Sequence, residues 1–310
     1  MKFNFNFDDG KSLGYVKGGI YDKEIIYLSD KDHKENKKKV NIDEMALLVE
    51  NLYKNMKGRL SFKKLEQLQE AIMSKQRPVN RELANHYDEA LKIIEGSKGK
   101  EILLDDDSNL YPMWDIKADR QVFMITGMSG SGKSTYTSQL MDSYHKQYKK
   151  NKVYIFSNKD DDPALDKHKF ATRVPISEDL VEDPIHLDEF RNSLVIFDDI
   201  EGNPSKIVNK EMDRLRDLIL QQGRSYKCSF VYISHLANNY KQTRTILNEC
   251  NAVTVFPAMT TRYALKYLLE KYFGFEKKDI NKLVGLNSRW VTIYKAPVMV
   301  MYSKGCYLLN

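Results

Sequence analysis

The sequence contains little cysteine and no long hydrophobic stretch. Its three cysteines, Cys228, Cys250 and Cys306, are odd in number, widely separated and without the paired spacing of a metal site. This pattern predicts buried or free thiols in a reducing compartment. No apolar run approaches the roughly 20 residues that a membrane-spanning helix needs. The start, MKFNFNFDDGK, lacks the apolar core of a signal peptide. We therefore expect an intracellular protein without a membrane span.

Basic side chains are concentrated in the last third of the chain. Residues 1–120 hold 22 basic and 22 acidic side chains, whereas residues 201–310 hold 17 basic and 8 acidic ones. Such a surplus suits contact with a polyanion such as nucleic acid, and an ordinary solvated surface gives the same count. Charge alone leaves both interpretations open.

A glycine-rich turn separates an apolar strand from the start of a helix in VFMITGMSGSGKSTYTSQL, residues 122–140. The turn fits the P-loop template GxxxxGK[ST] at every fixed position. Glycines let backbone N–H groups surround a phosphate at the positive end of the following helix. We therefore predict a bound nucleoside triphosphate, with Lys133 at the β- and γ-phosphates and Ser134 on Mg²⁺. The predicted nucleotide-binding residues are Gly127, Met128, Ser129, Gly130, Ser131, Gly132, Lys133, Ser134 and Thr135.

A second motif follows a buried strand: four apolar residues, LVIF, run directly into Asp198 and Asp199. This is a Walker B pattern, in which a carboxylate at a strand end holds the metal ion that the P-loop serine also contacts. We assign Asp198 to Mg²⁺ and Asp199 to the attacking water, as its orienting group or base.

The apolar segments 153–157, 194–197, 230–233 and 252–256 alternate with helical stretches. This alternation predicts an α/β fold: a P-loop NTPase core with a mainly parallel sheet covered by helices on both faces. The core is predicted to span residues 111–310. Within it, residues 258–310 form a carboxy-terminal extension of two helices and a hairpin across Ala296–Pro297.

Residues 1–110 are predicted to form a small amino-terminal α+β module of unknown role. Apolar residues recur there at helical spacing over 41–56, 61–74 and 81–95. The acidic segment Leu104–Asp119, with its Ser, Asn and Pro, is interpreted as a connector.

A guanine-binding pattern competes with this interpretation. Asn158 to Asp161 fits NKxD, and Asp199 to Gly202 fits DxxG, so a GTPase is an alternative. The order of the motifs argues against it, because NKxD here lies between the P-loop and DxxG. We interpret residues 157–162 as a polar loop after the second strand.

Two further residues are candidates for catalysis. Arg224 lies between a helix and the next strand, where it is either an arginine finger for its own or a neighbour's nucleotide, or a helix-terminal cation. His235 follows the fourth strand, at a position where P-loop proteins often place a polar sensor of the γ-phosphate.

The segments GMSGSGKST, VIFDDI and QQGRSYKCSFVYISH together resemble the genome-packaging ATPases of large DNA viruses, the poxvirus type within the FtsK/HerA superfamily. The resemblance covers about residues 120–294, including FSNKDDDPALD and LNSRWVTIYK. It implies a ring-forming, ATP-driven translocase of double-stranded DNA, with Arg224 acting from a neighbouring subunit. His235 departs from the glutamine that is usual at the sensor position.

The resemblance also implies partners and a location. These are double-stranded DNA, further copies of the chain in a homo-oligomeric ring of five or six, and a capsid or portal protein. The site of action is the virus factory of the host cytoplasm, or the virion. Basic residues in loops or helix starts that are candidates for contacting DNA phosphates are Lys206, Lys210, Lys241, Arg244 and Arg262.

Two other classes of function stay open. One is a small-molecule phosphotransferase such as a nucleoside kinase, although the sequence has no clear arginine-rich lid. The other is a nucleotide-binding structural or assembly subunit in which hydrolysis is incidental. DNA-stimulated hydrolysis distinguishes the packaging ATPase from both.

Overall fold

The computed structural model describes residues 1–5, 10–29, 56, 60–97, 99–235 and 240–309, without the side chains of 92–97 and 240–242. The chain divides into two compact units, Met1–Gly10 with Tyr27–Leu103, and Lys11–Ile26 with Leu104–Asn310. The strands in chain order are β1 (Lys2–Asn4), β2 (Lys11–Lys17), β3 (Ile25–Ser29), β4 (Glu101–Leu103), β5 (Asn109–Pro112), β6 (Val122–Thr126), β7 (Lys152–Ser157), β8 (Ala171–Pro175), β9 (Ser193–Asp198), β10 (Ser229–Ser234), β11 (Ala252–Val255), β12 (Val291–Lys295), β13 (Val298–Tyr302) and β14 (Gly305–Leu308). The helices are α1 (Phe62–Ser74), α2 (Arg81–Ser97), α3 (Lys133–Gln147), α4 (Pro163–Asp166), α5 (Asp179–Glu182), α6 (Lys206–Gln222), α7 (Tyr240–Glu249), α8 (Arg262–Phe273) and α9 (Lys277–Val284).

In the first unit, α1 and α2 pack together through a small apolar core. Leu65, Leu68 and Ile72 recur at three- and four-residue spacing, so they lie on one face of α1 and cluster with residues of α2. Both helices lie where the sequence predicts. The predicted helix at 41–56 falls outside the described residues except for Met56, which is buried in this core.

The second unit is built on one large sheet, in which neighbouring strands follow the order β14-β13-β12-β11-β6-β10-β9-β7-β8. The six strands from β11 to β8 run parallel, and β12, β13 and β14 are antiparallel. Every residue of β6, β9 and β10 is buried. Strands covered on both faces lack the alternation of a half-exposed strand and appear as continuous apolar runs. The predicted α/β fold, with a mainly parallel sheet, is confirmed.

The position of β10 between β6 and β9 brings the two nucleotide motifs together. In the parallel register Thr126 pairs with Ser234, and Ile233 pairs with Asp198. Because the three strands point the same way, the loops that follow them meet at one edge of the sheet. The P-loop, Asp199 and His235 are therefore neighbours, although more than 100 residues separate the first from the last.

The segment Leu104–Asp119 is not a simple connector, and that prediction was wrong. It contains β5, which pairs antiparallel with β2. It also contains the fully buried Trp114, whose ring lies 5.3 Å from Phe123 and 5.2 Å from Tyr144 between ring centroids. A strand of four residues among Asp, Asn and Pro shows too little alternation to be recognised from sequence.

The carboxy-terminal extension has the two helices and the hairpin that the sequence predicts, in α8, α9 and the pair β12–β13. A third antiparallel strand, β14, extends the hairpin and was not predicted. Among the described residues, no helix combines the length and the hydrophobicity that crossing a membrane requires.

Candidate nucleotide-binding site

The loop between β6 and α3 has the backbone of a phosphate-binding loop. Gly130 and Gly132 have φ angles of 75° and 110°, which glycine adopts without the steric cost that a Cβ adds. The helix begins at Lys133, directly after the loop, so its positive end adjoins the loop amides. Met128, Ser129 and Thr135 are exposed at the surface of this loop and of the first helical turn.

The ammonium group of Lys133 is folded back under the loop. It donates to the carbonyls of Gly127 at 2.7 Å and Met128 at 3.0 Å, and its Nζ lies 3.3 Å from Nδ1 of His235. Burial lowers the pKa of Lys133, as does the nearby Lys159, whereas Asp198 and Asp199 raise it. The ammonium group is therefore held at the loop, next to the place where a P-loop binds phosphate.

Two carboxylates follow one another at the end of β9. Asp198 is almost fully buried and accepts a hydrogen bond from the Ser157 hydroxyl at 3.3 Å. Burial raises the pKa of Asp198, and the nearby ammonium of Lys159 opposes that shift. The Nζ of Lys159 lies 3.8 Å from a carboxylate oxygen of both Asp198 and Asp199. One basic side chain therefore faces both acidic groups.

His235 connects the second carboxylate with the P-loop lysine. Its Nε2 lies 3.3 Å from Oδ2 of Asp199, while its other ring nitrogen faces Lys133. Asp199 adopts a left-handed backbone conformation, with φ of 53°. Aspartate tolerates this conformation better than most residues, and such backbone geometry is found at functional sites. The structure thus brings together Lys133, Asp199 and His235.

The side chains assigned to the metal ion, Ser134 and Asp198, offer oxygen atoms as ligands. The Ser134 hydroxyl donates to Oδ2 of Asp162 at 2.7 Å, and Asp162 also caps α4. The charge of Asp162 contributes to the raised pKa of Asp198, although burial is the larger cause. Hydroxyl and carboxylate oxygens are the ligands that Mg²⁺ prefers. Ser134 and Asp198 therefore have the oxygen chemistry that suits a magnesium ion. Sequence reasoning missed Asp162, which accepts the hydrogen bond from Ser134.

A further carboxylate, Glu201, lies in the turn after Asp199. The hydroxyl of Tyr232 donates to Glu201 Oε1 at 2.5 Å, and the hydroxyl of Ser234 donates to the same oxygen at 3.3 Å. Burial is the main cause of the raised pKa of Tyr232, and Glu201 adds to it. Sequence reasoning missed Glu201, and its only signal was its place in a DDxE run after the strand.

The NKxD pattern lies beside the Walker B carboxylates. The side-chain amide of Asn158 donates to the carbonyl of Asp199 at 3.0 Å and accepts from Asn203 at 2.9 Å. Lys159 faces Asp198 and Asp199, as described above. Both side chains are engaged at the phosphate and metal end of a P-loop site, so the structure does not favour the guanine-binding interpretation.

Arg224 lies at the other end of the sheet. It precedes β10, while the P-loop follows the carboxyl end of the neighbouring β6, and the six residues of β10 span roughly 20 Å. The side chain is exposed, near Arg120 and Lys227. An arginine there is too far away to reach the P-loop of its own chain. As an arginine finger, Arg224 could therefore act only on the nucleotide of a neighbouring chain and not on that of its own chain.

The candidate DNA-binding residues are distributed over three helices. Lys206 and Lys210 are exposed and four residues apart on the first turns of α6, so they share one face of that helix. Arg244 is exposed on α7, and Arg262 is exposed at the first position of α8. The side chain of Lys241 lies outside the described residues.

Comparison of the sequence with known proteins gives one strong relative. The chain is 35% identical over 218 residues to the uncharacterized protein V3 of Sputnik virophage, covering 69% of this chain and 87% of that relative. The chain belongs to the family of virophage protein V3. No family model matches the sequence.

Comparison with solved structures gives similarities at low sequence identity. The genome packaging NTPase B204 from Sulfolobus turreted icosahedral virus 2, in complex with AMPPCP, has a TM-score of 0.43 at 12% identity, covering 60% of this chain and 98% of that one. The cytoplasmic domain of the Thermomonospora curvata Type VII secretion ATPase EccC has a TM-score of 0.43 at 12% identity, covering 66% and 28%.

Arg289 is a second basic residue at the P-loop of this member of the V3 family. Its Nε donates to the carbonyl of Ser131 at 2.8 Å and its Nη2 donates to the carbonyl of Gly130 at 3.2 Å. The guanidinium thus fixes the carbonyl side of the loop and leaves further N–H groups for a ligand. Sequence reasoning assigned no role to Arg289, because 155 residues separate it from Ser134.

We predict that Gly132→Ala lowers the free energy of unfolding by about 1–3 kcal/mol, the usual cost of a strained backbone conformation. The backbone at residue 132 has a φ angle of 110°, which alanine rarely adopts, and the added Cβ would lie 3.2 Å from Nε of Arg289. Gly202→Ala is the matched control, because nothing lies within 4 Å of its Cβ position. Urea unfolding of the two variants measures the difference. Equal midpoints would show that the loop accepts a side chain at residue 132.

Proposed function

We propose that the chain is an ATP hydrolase that moves double-stranded DNA and packages a viral genome. The observation that carries this proposal is the meeting of Lys133, Ser134, Asp198, Asp199 and His235 at one edge of a parallel sheet. The resemblance to packaging ATPases in the segments GMSGSGKST, VIFDDI and QQGRSYKCSFVYISH selects DNA packaging among the functions that P-loop proteins perform.

The residues of the site have separate roles in the transfer of the phosphoryl group to water. Lys133 and the P-loop amides bind the β- and γ-phosphates, and Ser134 and Asp198, supported by Asp162, would hold Mg²⁺. When bound, the ion neutralises charge that develops on the phosphate oxygens. Asp199 orients the attacking water and accepts its proton. His235, between Asp199 and Lys133, responds to the γ-phosphate through its two ring nitrogens.

A homo-oligomer is part of this proposal, because Arg224 lies at the wrong edge of the sheet for its own nucleotide. In a ring of identical chains, the amino ends of the parallel strands of one subunit, where Arg224 is exposed, face the P-loop of the next subunit. Arg224 then stabilises transition-state charge in the neighbouring site. The ring encloses DNA, acts at a capsid or portal protein and works in the host cytoplasm or the virion.

DNA contact is proposed to come from the basic last third of the chain, where residues 201–310 hold 17 basic and 8 acidic side chains. Lys206 and Lys210 are the best defined of the candidates, since both are exposed on one face of α6. A translocase needs phosphate contacts rather than base contacts, because it must move along any sequence.

We predict that double-stranded DNA stimulates steady-state ATP hydrolysis and that the stimulation fades as salt is raised. Each phosphate contact releases counterions, so the logarithm of DNA affinity falls with the logarithm of salt concentration by about 0.9 per contact. ATP turnover measured with and without DNA over a salt series tests this. Hydrolysis that DNA leaves unchanged, with phosphate transferred to a nucleoside, would instead establish a phosphotransferase.

Two double variants sharpen the same measurement. Lys206→Ala with Lys210→Ala is expected to weaken DNA binding and to reduce the salt slope by about one to two. Lys149→Ala with Lys150→Ala is the matched control, because it removes two adjacent exposed lysines that precede β7, at the amino edge of the sheet. An equal effect of the two double variants would mean that α6 makes no specific contact with DNA.

A further inference from the structure

The carbonyl groups at the end of α6 are bonded to an arginine from a distant part of the chain. A helix leaves its last carbonyls without intrahelical donors, and its dipole is negative at that end, so a cation is favoured there. Here the cation is Arg120, whose Nη2 donates to the carbonyls of Ile219 at 2.7 Å and Leu220 at 3.3 Å. Arg120 therefore takes the place of a helix-terminal cation, one of the two roles that the sequence allows for Arg224.

The same guanidinium reaches the other end of the loop that carries Arg224. This loop, residues 223–228, connects α6 with β10 and is called the arginine loop here. Nε of Arg120 donates to the carbonyl of Cys228 at 2.7 Å, so one side chain joins the end of the helix to the start of the strand. Gly223 permits the close approach, since a Cβ at that residue would lie 3.2 Å from Nη2 of Arg120.

The arginine loop is also held from within and from its other side. The amide of Cys228 donates to the carbonyl of Gly223 at 2.9 Å, which closes the loop. The amide of Asn192, which precedes β9, donates to the carbonyl of Tyr226 at 2.9 Å. The backbone of Arg224 is thus fixed on both sides, although its side chain is exposed.

The charge of Arg120 acts on Arg224 as well. Burial lowers the pKa of Arg120, and the charge of Arg224 lowers it further. The two guanidinium groups therefore lie close enough to repel each other. Because Arg120 already bonds the carbonyls at the end of α6, this repulsion favours conformations in which Arg224 extends away from the helix. Without Arg120, the same carbonyls would attract Arg224.

We propose that Arg120 is a positioning residue for Arg224. It holds both ends of the arginine loop and occupies the end of α6, so that Arg224 extends to the nucleotide of the neighbouring chain instead of folding back on its own helix. The inference rests on the proposed function, in which Arg224 acts between subunits. Arg120 itself does not touch a nucleotide, because it lies two residues before β6 and the length of that strand separates it from the P-loop of its chain.

Arg120→Ala is expected to lower kcat for ATP hydrolysis roughly 10²-fold, the effect of misplacing a catalytic group by about 1 Å, and to leave the Kd for ATP unchanged. Steady-state kinetics and calorimetric titration measure the two constants. Lys295→Ala is the matched control, because Lys295 donates to the carbonyls of Leu247 and Asn248 at the end of α7. The control is expected to keep its kcat. Equal losses of kcat in the two variants would overturn the proposal.

The double variant Arg120→Ala with Arg224→Ala separates positioning from a general effect on the fold. If Arg120 acts only through Arg224, the double variant hydrolyses ATP as slowly as Arg224→Ala alone, since the effects of residues that act as a unit do not add. A further loss of about 10²-fold would show that Arg120 supports something other than Arg224, and the proposal would be wrong.

Mixed oligomers give an independent readout. An Arg120→Ala subunit has an intact P-loop, so Lys133→Ala subunits, which present a well-placed Arg224, are expected to restore part of its activity. Arg224→Ala subunits should restore none. The mixture of Arg224→Ala with Lys133→Ala is the reference. If the reference recovers activity and the mixture of Arg120→Ala with Lys133→Ala does not, Arg120 has no role in presenting Arg224.

Arg120→Lys keeps the test decisive if the alanine variant does not fold. Lysine retains the charge at the end of α6 but has one donor nitrogen, whereas arginine bonds Cys228 and Ile219 from two. We expect a urea unfolding midpoint near that of the wild type and a lowered kcat. A wild-type kcat would contradict the need to hold both ends of the arginine loop.

Hydrogen exchange distinguishes failure of this inference from failure of the proposed function. The amides of residues 226–228 donate to carbonyls within the arginine loop. Arg120→Ala is expected to accelerate their exchange roughly tenfold, whatever Arg224 does in catalysis. If Arg224→Ala keeps full activity, the arginine finger is wrong even where the loop exchanges faster. If Arg224→Ala is inactive while Arg120→Ala exchanges and hydrolyses as wild type, the finger stands and the role of Arg120 is disproved.

Discussion

Asp199→Asn is expected to lower the rate of ATP hydrolysis by roughly 10²–10⁴-fold, the usual contribution of a positioned general base. The asparagine keeps the size of the side chain and loses the carboxylate that accepts a proton. Binding of ATP should change little, because Lys133 and the P-loop backbone are untouched and Asp198 still faces Lys159. A loss of kcat with an unchanged Kd for ATP is therefore the expected signature.

Glu201→Gln is the control, because Glu201 is the other carboxylate within three residues of the Walker B strand. It differs from Asp199 in its partners: Tyr232 and Ser234 donate to one of its oxygens, whereas Asp199 faces His235 and Lys159. A glutamine oxygen still accepts those two hydrogen bonds, so the fold is preserved. If Glu201→Gln loses more activity than Asp199→Asn, the base is Glu201 and our assignment is wrong.

Arg224→Ala is expected to lower hydrolysis by about 10³-fold or more, as the loss of an arginine finger does, without weakening ATP binding. ATP binding in the same chain should not change, because Arg224 lies at the amino end of β10, about one strand length from the P-loop of that chain. Lys227→Ala removes another exposed cation from the same edge and is expected to keep its activity, since Lys227 is paired with Asp119 at 3.0 Å.

Mixing two inactive variants tests whether Arg224 acts between subunits. A Lys133→Ala subunit cannot use its own P-loop but still presents Arg224 to a neighbour. An Arg224→Ala subunit has an intact P-loop and needs that arginine. Each variant alone is expected to be inactive, and the mixture to recover part of the activity. No recovery in mixed oligomers would contradict action in trans.

The P-loop and the core strands were predictable from sequence because their signals are local. The spacing of Gly127, Gly132, Lys133 and Ser134 follows from the needs of one turn around a phosphate, and the structure has that turn. The strands before Asp199 and His235 are buried on both faces, so they appear as uninterrupted apolar runs. Neither inference required knowledge of distant contacts.

Sequence reasoning missed Asp162, Glu201 and Arg289 because their contacts are with residues that are distant in sequence. Each is a charged residue in a loop or turn, and apart from the place of Glu201 in a DDxE run, nothing nearby in sequence distinguishes them from solvated side chains. Asp162 matters because it accepts from Ser134, and Arg289 because it donates to P-loop carbonyls. Contacts of this kind join residues 28 to more than 150 positions apart, and strand order decides them.

The sequence by itself determined a nucleotide-binding α/β protein, since a P-loop and a Walker B strand are short patterns whose chemistry depends on adjacent residues. Only the tertiary structure decided which side chains complete the site. The insertion of β10 between β6 and β9 places His235 between Lys133 and Asp199. The same insertion sets Arg224 at the opposite edge of the sheet, because a residue that precedes a parallel strand and one that follows it are separated by the length of that strand.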